Sequence, residues 1–567
     1  MKTITLLPLS ARGSKTAPWS VTPKVPNALP CSATLPHPAT AGVMTRNCLF
    51  GPSMTPPPQL RKVVTSRCNE TPRSAALCEL VVRLVNDSLT EYSYSAYVTE
   101  LQYELKATDA GFQIHVYGFD HKAPLLLREV LKRLLDLGPH LQEGPLSVQL
   151  EALTREYHNT DMKPGRHASN ARLQALRKGS WSPEQKQAAL IGVDAGQGKL
   201  EATSAAGAAA PPPIPPVSLE DLKAFLRRLF HRVELEGLVH GNFSEEDAEN
   251  VLDDVQKVAE EAAHSRGGAG RVGEDVVGGT ERDSDRSGVG AEFKYPEEPV
   301  VRLDPSQHVI YCCPSKDPTE QNSALEVYWQ IGVNNLKQRV LADAIEQVME
   351  EPLYDQLRTK EQLGYSVGCS PRVTYGVLGF CITAQSAAYG PAHVYSRVRA
   401  FMKSFRSTLA DMEDEVFMMN MESAAANKLQ PDNTLSEEAQ RHWQEIYGRR
   451  RAFHVNVAEA MEMRALRKPA VLQAFDEWFS SDIRGKPCLT LTVTGGGKFS
   501  SEDEAKAMQD RVQEEIDGVS TKDDGRGDTS SGGGDPSSLR KKCIRIASPP
   551  ELYSPAEGRD VFPDLFA

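Results

Sequence analysis

Residues 101–116 read LQYELKATDAGFQIHV, and their pattern decides the fold. Leu101, Tyr103 and Leu105 alternate with polar residues, Asp109-Ala110-Gly111 supplies a turn, and Phe112, Ile114 and Val116 alternate again. A period of two on both sides of a turn is the signature of a β-hairpin. Upstream, Leu77, Leu80, Val81, Leu84 and Val85 fall at helical spacing and predict an amphipathic helix over 75–95. Downstream, Leu126, Leu127, Val130, Leu131 and Leu134 predict another, beginning near Ala123.

The same order returns later in the chain. Leu336, Val340, Ala344, Ile345 and Val348 mark a helix running toward Arg358, with Pro352 as a kink or local break. Residues 363–367 and 377–385 read as strands around a turn containing Pro371 and Gly376, and Val394, Val398 and Phe401 mark the helix that follows. Leu-x-Tyr-x-aliphatic occurs at Leu101/Tyr103/Leu105 and at Leu363/Tyr365/Val367; Gly-Phe-x-Ile occurs at Gly111/Phe112/Ile114 and at Gly379/Phe380/Ile382. The wider spacing in the second copy predicts a longer hairpin loop there. The fold class is therefore α+β, with two homologous domains, each an antiparallel sheet packed on helices.

Composition sets the limits around this reading. The chain has 567 residues, 40% hydrophobic and 25% charged, with a formal charge of -12. Fibrous and wholly disordered classes are excluded, and no apolar run reaches the roughly 18–20 residues a membrane helix needs. Residues 1–69 contain no Asp or Glu but eight basic residues, so a basic leader precedes an acidic body. An acidic body argues against nucleic acid as a partner. Ten cysteines with no C-x-x-C pair fit a reducing compartment. The expected location is cytoplasmic, or mitochondrial or plastid if the leader is a transit peptide.

Four stretches bury too little apolar surface to order: 1–73, 197–217, 265–293 and 496–540. The expected organisation is a disordered leader over 1–73, a first domain over 74–264 interrupted by the Pro/Ala-rich 197–217, a linker over 265–293, and a second domain over 294–567 interrupted by a disordered 496–540. Val233 to Val239 alternate into a turn at His240-Gly241-Asn242, and Ser244 with Asp247 caps the next helix. From Asp411 onward helices are expected over 418–429, 437–447, 457–466 and 471–479, followed by a strand over 488–493.

Among residues that could carry chemistry, neither H-E-x-x-H nor H-x-x-E-H occurs among the 13 histidines. His231 and His240, like His158 and His167, read as structural or loop residues. No serine or cysteine nucleophile signature and no phosphate loop is expected. The informative segment is Leu357–Val367, LRTKEQLGYSV, which sets Arg358 at a helix end directly before a strand carrying Tyr365. Arg offers a fork of donors and Tyr a phenol that can donate to an oxyanion or a peptide carbonyl. The internal repeat is a control: Ala96 stands where Arg358 does, and Tyr103 where Tyr365 does. The fold thus does not require Arg358, which is either functional or half of a surface ion pair. Tyr365 is either functional or a packing residue.

LRTKEQLGYSV, preceded by Glu-Glu-Pro-Leu-Tyr, resembles the C-terminal half of the insulysin-type inverted-zincin metallopeptidases, the family of insulin-degrading enzyme, nardilysin and pitrilysin. LVNDSLTEYSYSA at 84–96, VHGNFS at 239–244, EVYWQIG at 326–332 and VFPDLFA at 561–567 are similar to further family segments, in the family's order. The resemblance implies four homologous domains in two bowl-shaped halves around a chamber, with zinc on the N-terminal half. It implies that Arg358 and Tyr365 serve substrate binding and transition-state stabilisation. The match begins inside the third domain, so the first domain here is expected to be truncated on its N-terminal side, with no strand before Ser74. Zinc is expected for the complete family enzyme but not on this chain. The implied function is the substrate-enclosing C-terminal half of a metalloendopeptidase that cleaves short unfolded peptides. Its partners would be peptides and an N-terminal catalytic half; self-association stays open, and neither nucleic acid nor membrane is expected. The alternative is a non-catalytic peptide-binding or scaffold protein derived from that family.

Overall fold

The computed structural model describes residues 58–65, 67–192, 215–231, 233–267, 299–480, 485–495, 498–523, 542–546 and 548. The leader before residue 58, most of 197–217 and 265–293, residues 524–541 and the 561–567 tail lie outside the described residues. In chain order the first elements are β1 (Pro58–Val64), α1 (Pro72–Val98), β2 (Gln102–Thr108), β3 (Gly111–Tyr117), α2 (Ala123–Leu135), α3 (Glu143–His158), α4 (Pro164–Leu176), α5 (Pro183–Ile191), α6 (Leu219–Leu229), β4 (Glu234–Val239) and α7 (Glu245–Gly267). Then follow β5 (Gln307–Pro314), β6 (Ser323–Val333), α8 (Leu336–Tyr354), β7 (Ser366–Thr374), β8 (Val377–Ser386), α9 (Pro391–Asp411), α10 (Asp414–Lys428), α11 (Leu435–Tyr447), α12 (Val455–Ala465), α13 (Lys468–Phe479), β9 (Cys488–Thr494), α14 (Ser501–Asp523) and β10 (Lys542–Ile546). Chain contacts group them into two units: one of 1–153, 189–296 and 432–443, and one of 154–188, 297–431 and 444–567.

The first unit is built on a four-stranded antiparallel sheet in the order β2-β3-β1-β4. The predicted hairpin is β2–β3, and Phe112, Ile114 and Val116 of β3 are fully buried. Helix α1 starts where Thr71 accepts from the Ser74 amide with Pro72 in the first turn, a capping arrangement. Its Leu77, Leu80, Val81, Leu84 and Val85 form the buried stripe. Ser244 and Asp247 cap α7 reciprocally, as expected.

The absence of a strand before Ser74 is corrected: β1 is central, pairing with both β3 and β4. Its buried Val63 is followed by Thr65, whose hydroxyl donates to the Leu229 carbonyl at 2.8 Å. Without this strand β3 and β4 would each leave a row of backbone groups unpaired.

The second unit holds a six-stranded sheet in the order β10-β5-β9-β6-β8-β7. It is mixed rather than wholly antiparallel, because β5 runs parallel to both β9 and β10. β6 is buried along nearly its whole length since both faces are covered. Leu325, Val327 and Trp329 join the core formed with α8, α9, α13 and α14. Ala324 and Tyr328 face the other way, against Ala168, Ala171 and Ala175 of α4. Arg172 of α4 pairs with Glu326 in this layer, and Ser169 donates to the same carboxylate at 2.7 Å. Residues 154–188 therefore pack with this sheet, although the sequence placed them inside a 74–264 domain.

Three further expectations change. The hairpin loops are equally short, Thr108 facing Gly111 and Thr374 facing Val377; the extra length of the second copy lies in its strands. Pro371 belongs to β7 rather than to a turn, which is tolerated because β7 is an edge strand. Within 496–540, residues 501–523 form α14 instead of a disordered insertion. Ala505, Met508, Val512 and Ile516 are its buried stripe, hidden in the sequence by the acidic residues around them.

Candidate functional site

Pro352 has no N–H to give to the turn before it, and α8 ends at Tyr354 in a π-helical turn over Asp355–Lys360. The Glu361 amide reaches back to the Gln356 carbonyl at 3.0 Å, and Leu357 is buried beneath the turn. The chain then reverses through Gln362, at φ 52°. At Gly364 an added Cβ would overlap the Gln385 carbonyl oxygen. Only glycine lets the backbone lie this close to β8, and the next residue, Tyr365, directly precedes edge strand β7.

This geometry brings the two sequence-derived residues together. The Arg358 guanidinium carbon lies 4.6 Å from the centre of the Tyr365 ring and 4.5 Å from that of Tyr354. Tyr354 is 41% exposed and Tyr365 85%. Tyr365 is therefore not a packing residue. Its counterpart in the repeat behaves differently: Tyr103 lies within β2, bonds Asn86 at 3.1 Å, and has its phenol pushed up by burial. Ala96, the counterpart of Arg358, sits in the last turn of α1.

Arg358 is not half of a surface ion pair either, for among the described residues it makes no hydrogen bond or ion pair. The carboxylates of its own turn are engaged elsewhere. Asp355 pairs with Lys360 at 2.7 Å. Glu361 accepts from Nε and Nη2 of Arg397, each at 2.7 Å, and from the Gln356 side-chain amide at 2.7 Å, and the Arg397 bonds hold its carboxyl below the usual carboxylate range. The guanidinium is thus fixed by two ring faces while its donors stay open to an incoming acceptor. Tyr354 entered the sequence reading only as the end of Glu-Glu-Pro-Leu-Tyr, with no role of its own; the signal was its spacing of four from Arg358, which puts both side chains on one face.

Other groups do not extend this site. Gly364-Tyr365-Ser366-Val367-Gly368 satisfies G-x-S-x-G, contrary to the expectation that no serine signature occurs. Ser366 opens an edge strand rather than a strand-to-helix elbow, and among the described residues it bonds no histidine. His240 lies 3.4 Å from Glu438, which is also 3.8 Å from His442. Among the described residues no group of three or more His, Cys, Asp or Glu could hold a metal ion, so the described residues alone do not offer the ligand set of a zinc site.

Comparisons with known proteins agree with the segment's resemblance. Residues 61–189 match the family model "Middle or third domain of peptidase_M16", and residues 344–443 match "PQQ synthase PqqF-like, C-terminal lobe domain 4". The chain is 29% identical over 456 residues to a nardilysin-like protein of Arabidopsis thaliana, covering 79% of this chain and 39% of that protein. It is 25% identical over 423 residues to human insulin-degrading enzyme, covering 74% and 36% respectively. The chain thus spans well under half the length of these curated relatives. In fold it is similar to the crystal structure of pitrilysin, with a TM-score of 0.64 and 16% identity over 90% of this chain and 44% of that one. No helix among the described residues is long and apolar enough to cross a membrane. These matches, with the α+β architecture and the Arg-Thr-Lys-Glu-Gln-Leu-Gly-Tyr string, make the chain similar to the C-terminal part of the M16 insulysin and nardilysin peptidases.

Proposed function

We propose that this chain acts as the substrate-enclosing C-terminal half of an insulysin-like metalloendopeptidase that cleaves short unfolded peptides. In this reading Arg358 and Tyr365 contact the substrate's main chain, the guanidinium fork and the phenol donating to the scissile carbonyl as charge develops on its oxygen. The observation that carries it is the Arg358 guanidinium, stacked against Tyr354 and Tyr365 with no acceptor taken among the described residues. A surface arginine kept for stability would be expected to take a neighbouring carboxylate, and here Asp355 and Glu361 are bound to other cations. The metal chemistry would reside on a separate N-terminal half.

One observation favours a second reading. The sequence holds no H-x-x-E-H, which suits a peptide-binding or scaffold protein that never turns a substrate over. Mixing separates the two. The purified chain, a separately purified N-terminal half of a relative, and their mixture are each given a fluorogenic peptide. Hydrolysis by the mixture well above the sum of the parts supports the proposed function. Peptide binding by the chain with no gain on mixing supports the scaffold.

A further inference from the structure

We infer that Tyr354 is a positioning residue for Arg358, acting through the guanidinium rather than on the substrate. The inference deepens the proposed function and rests on it for the role of Arg358 in peptide binding. An arginine side chain has four rotatable bonds and, when exposed, samples many directions; holding it costs entropy that some contact must offset. Here no hydrogen bond or ion pair among the described residues does so. The fixing contacts are two ring faces at 4.5 and 4.6 Å.

The two rings are not equivalent. Tyr365 is 85% exposed and lies past the reversal at Gln362 and Gly364, so its ring is the more open to a ligand. Tyr354 closes α8 itself, one residue after the fully buried Leu353, and stands four residues before Arg358. A side chain anchored by a helix whose core face is buried is the firmer of the two walls. Tyr354 thus sets where the guanidinium points, leaving Tyr365 free to meet the substrate. A positioning role of this kind needs the π face and not the hydroxyl.

The test uses the full chain and a short unstructured fluorescein-labelled peptide with acetylated and amidated ends, so that its acceptors are main-chain carbonyls. Peptide Kd is measured by anisotropy for wild type, Tyr354→Phe, Tyr354→Leu, Arg358→Ala and the Tyr354→Leu/Arg358→Ala double variant. An exposed cation–π contact corresponds to about a two- to fivefold change in affinity. Tyr354→Leu is expected to weaken binding by that factor, Tyr354→Phe to bind as wild type, and Tyr354→Leu to add nothing once Arg358 is gone. Equal losses for Phe and Leu, or the same loss in the Arg358→Ala background, would overturn the inference.

A second readout stands apart from peptide. The Arg358 Nε–H resonance, assigned by its disappearance in Arg358→Lys, should be ring-shifted in wild type and Tyr354→Phe and move toward the ordinary arginine position in Tyr354→Leu. If Arg358→Ala leaves peptide binding unchanged, the proposed function fails while this shift still decides the positioning role. If Arg358→Ala weakens binding and the shift survives Tyr354→Leu, the positioning role alone fails.

Discussion

Replacing Gly364 by alanine tests how the site is held. The added Cβ would overlap the Gln385 carbonyl oxygen, lie 2.8 Å from the carbonyl carbon, and sit 3.1 Å from the Ser386 Cα. All three are backbone atoms of β8, a strand paired on both sides with β6 and β7, so no side chain can swing away. The backbone must move, and forced overpacking of this sort costs about 1–3 kcal/mol. For a domain of this size each kcal/mol lowers Tm by about 2–4 °C, so the variant should melt roughly 2–12 °C below wild type. Gly368, four residues on in β7, is the internal control: an added Cβ there meets nothing within 4 Å. Gly368→Ala should leave Tm unchanged or raise it slightly by restricting the unfolded chain. Thermal unfolding followed by circular dichroism reads both. Equal Tm values for wild type and Gly364→Ala would refute the close-approach argument, and with it the account of how Tyr365 is placed.

Three further outcomes follow from the packing and charges. Met508→Ala, on the buried stripe of α14, should cost about 2–5 kcal/mol in denaturant unfolding; no loss would mean that 501–523 is not part of the core. Arg172→Ala should cost about 3–5 kcal/mol because Glu326, 2% exposed, is left without its counter-charge, whereas Arg172→Met with Glu326→Leu should cost much less; equal costs in chemical denaturation would argue against the α4–β6 contact. Burial, with Asp343 and Glu350 nearby, pushes Glu346 up to about 7. A carboxyl raised in the folded state contributes stability at low pH that is lost as pH rises through that value. The Tm advantage of Glu346→Gln over wild type should therefore widen from pH 5 to pH 8, and a constant difference would contradict this.

Periodicity made the repeated unit legible, because Leu101/Tyr103/Leu105 and Phe112/Ile114/Val116 announce their period without help from the rest of the chain. Elements whose identity depends on distant partners stayed hidden. β1 holds Arg61 and Lys62 among prolines and serines, and it is a strand only because β3 and β4 stand on either side to pair with it. α14 was masked by acidic residues that cover its outer face, while Glu504 accepts from the Ala392 amide at 2.9 Å and Glu515 pairs with Arg399. Pro371 misled because edge position is a property of the sheet and not of the strand's own sequence. At the site, Arg358 and Tyr365 were found through the motif and the repeat. That Arg358 has no ion pair among the described residues was not, since it depends on where Lys360 and Arg397 send the neighbouring carboxylates.

The central claim is that Arg358 and Tyr365 act on the peptide's carbonyl while the metal chemistry is supplied by another half. The most direct measurement is single-turnover hydrolysis of a fluorogenic peptide by the mixture of this chain with an N-terminal half, comparing wild type with Tyr365→Phe under saturating peptide. Loss of a donor to the developing oxyanion lowers the rate by about 10²–10³-fold, and the account predicts a fall of that order with Tm unchanged, since Tyr365 is 85% exposed. An unchanged rate for Tyr365→Phe would contradict it.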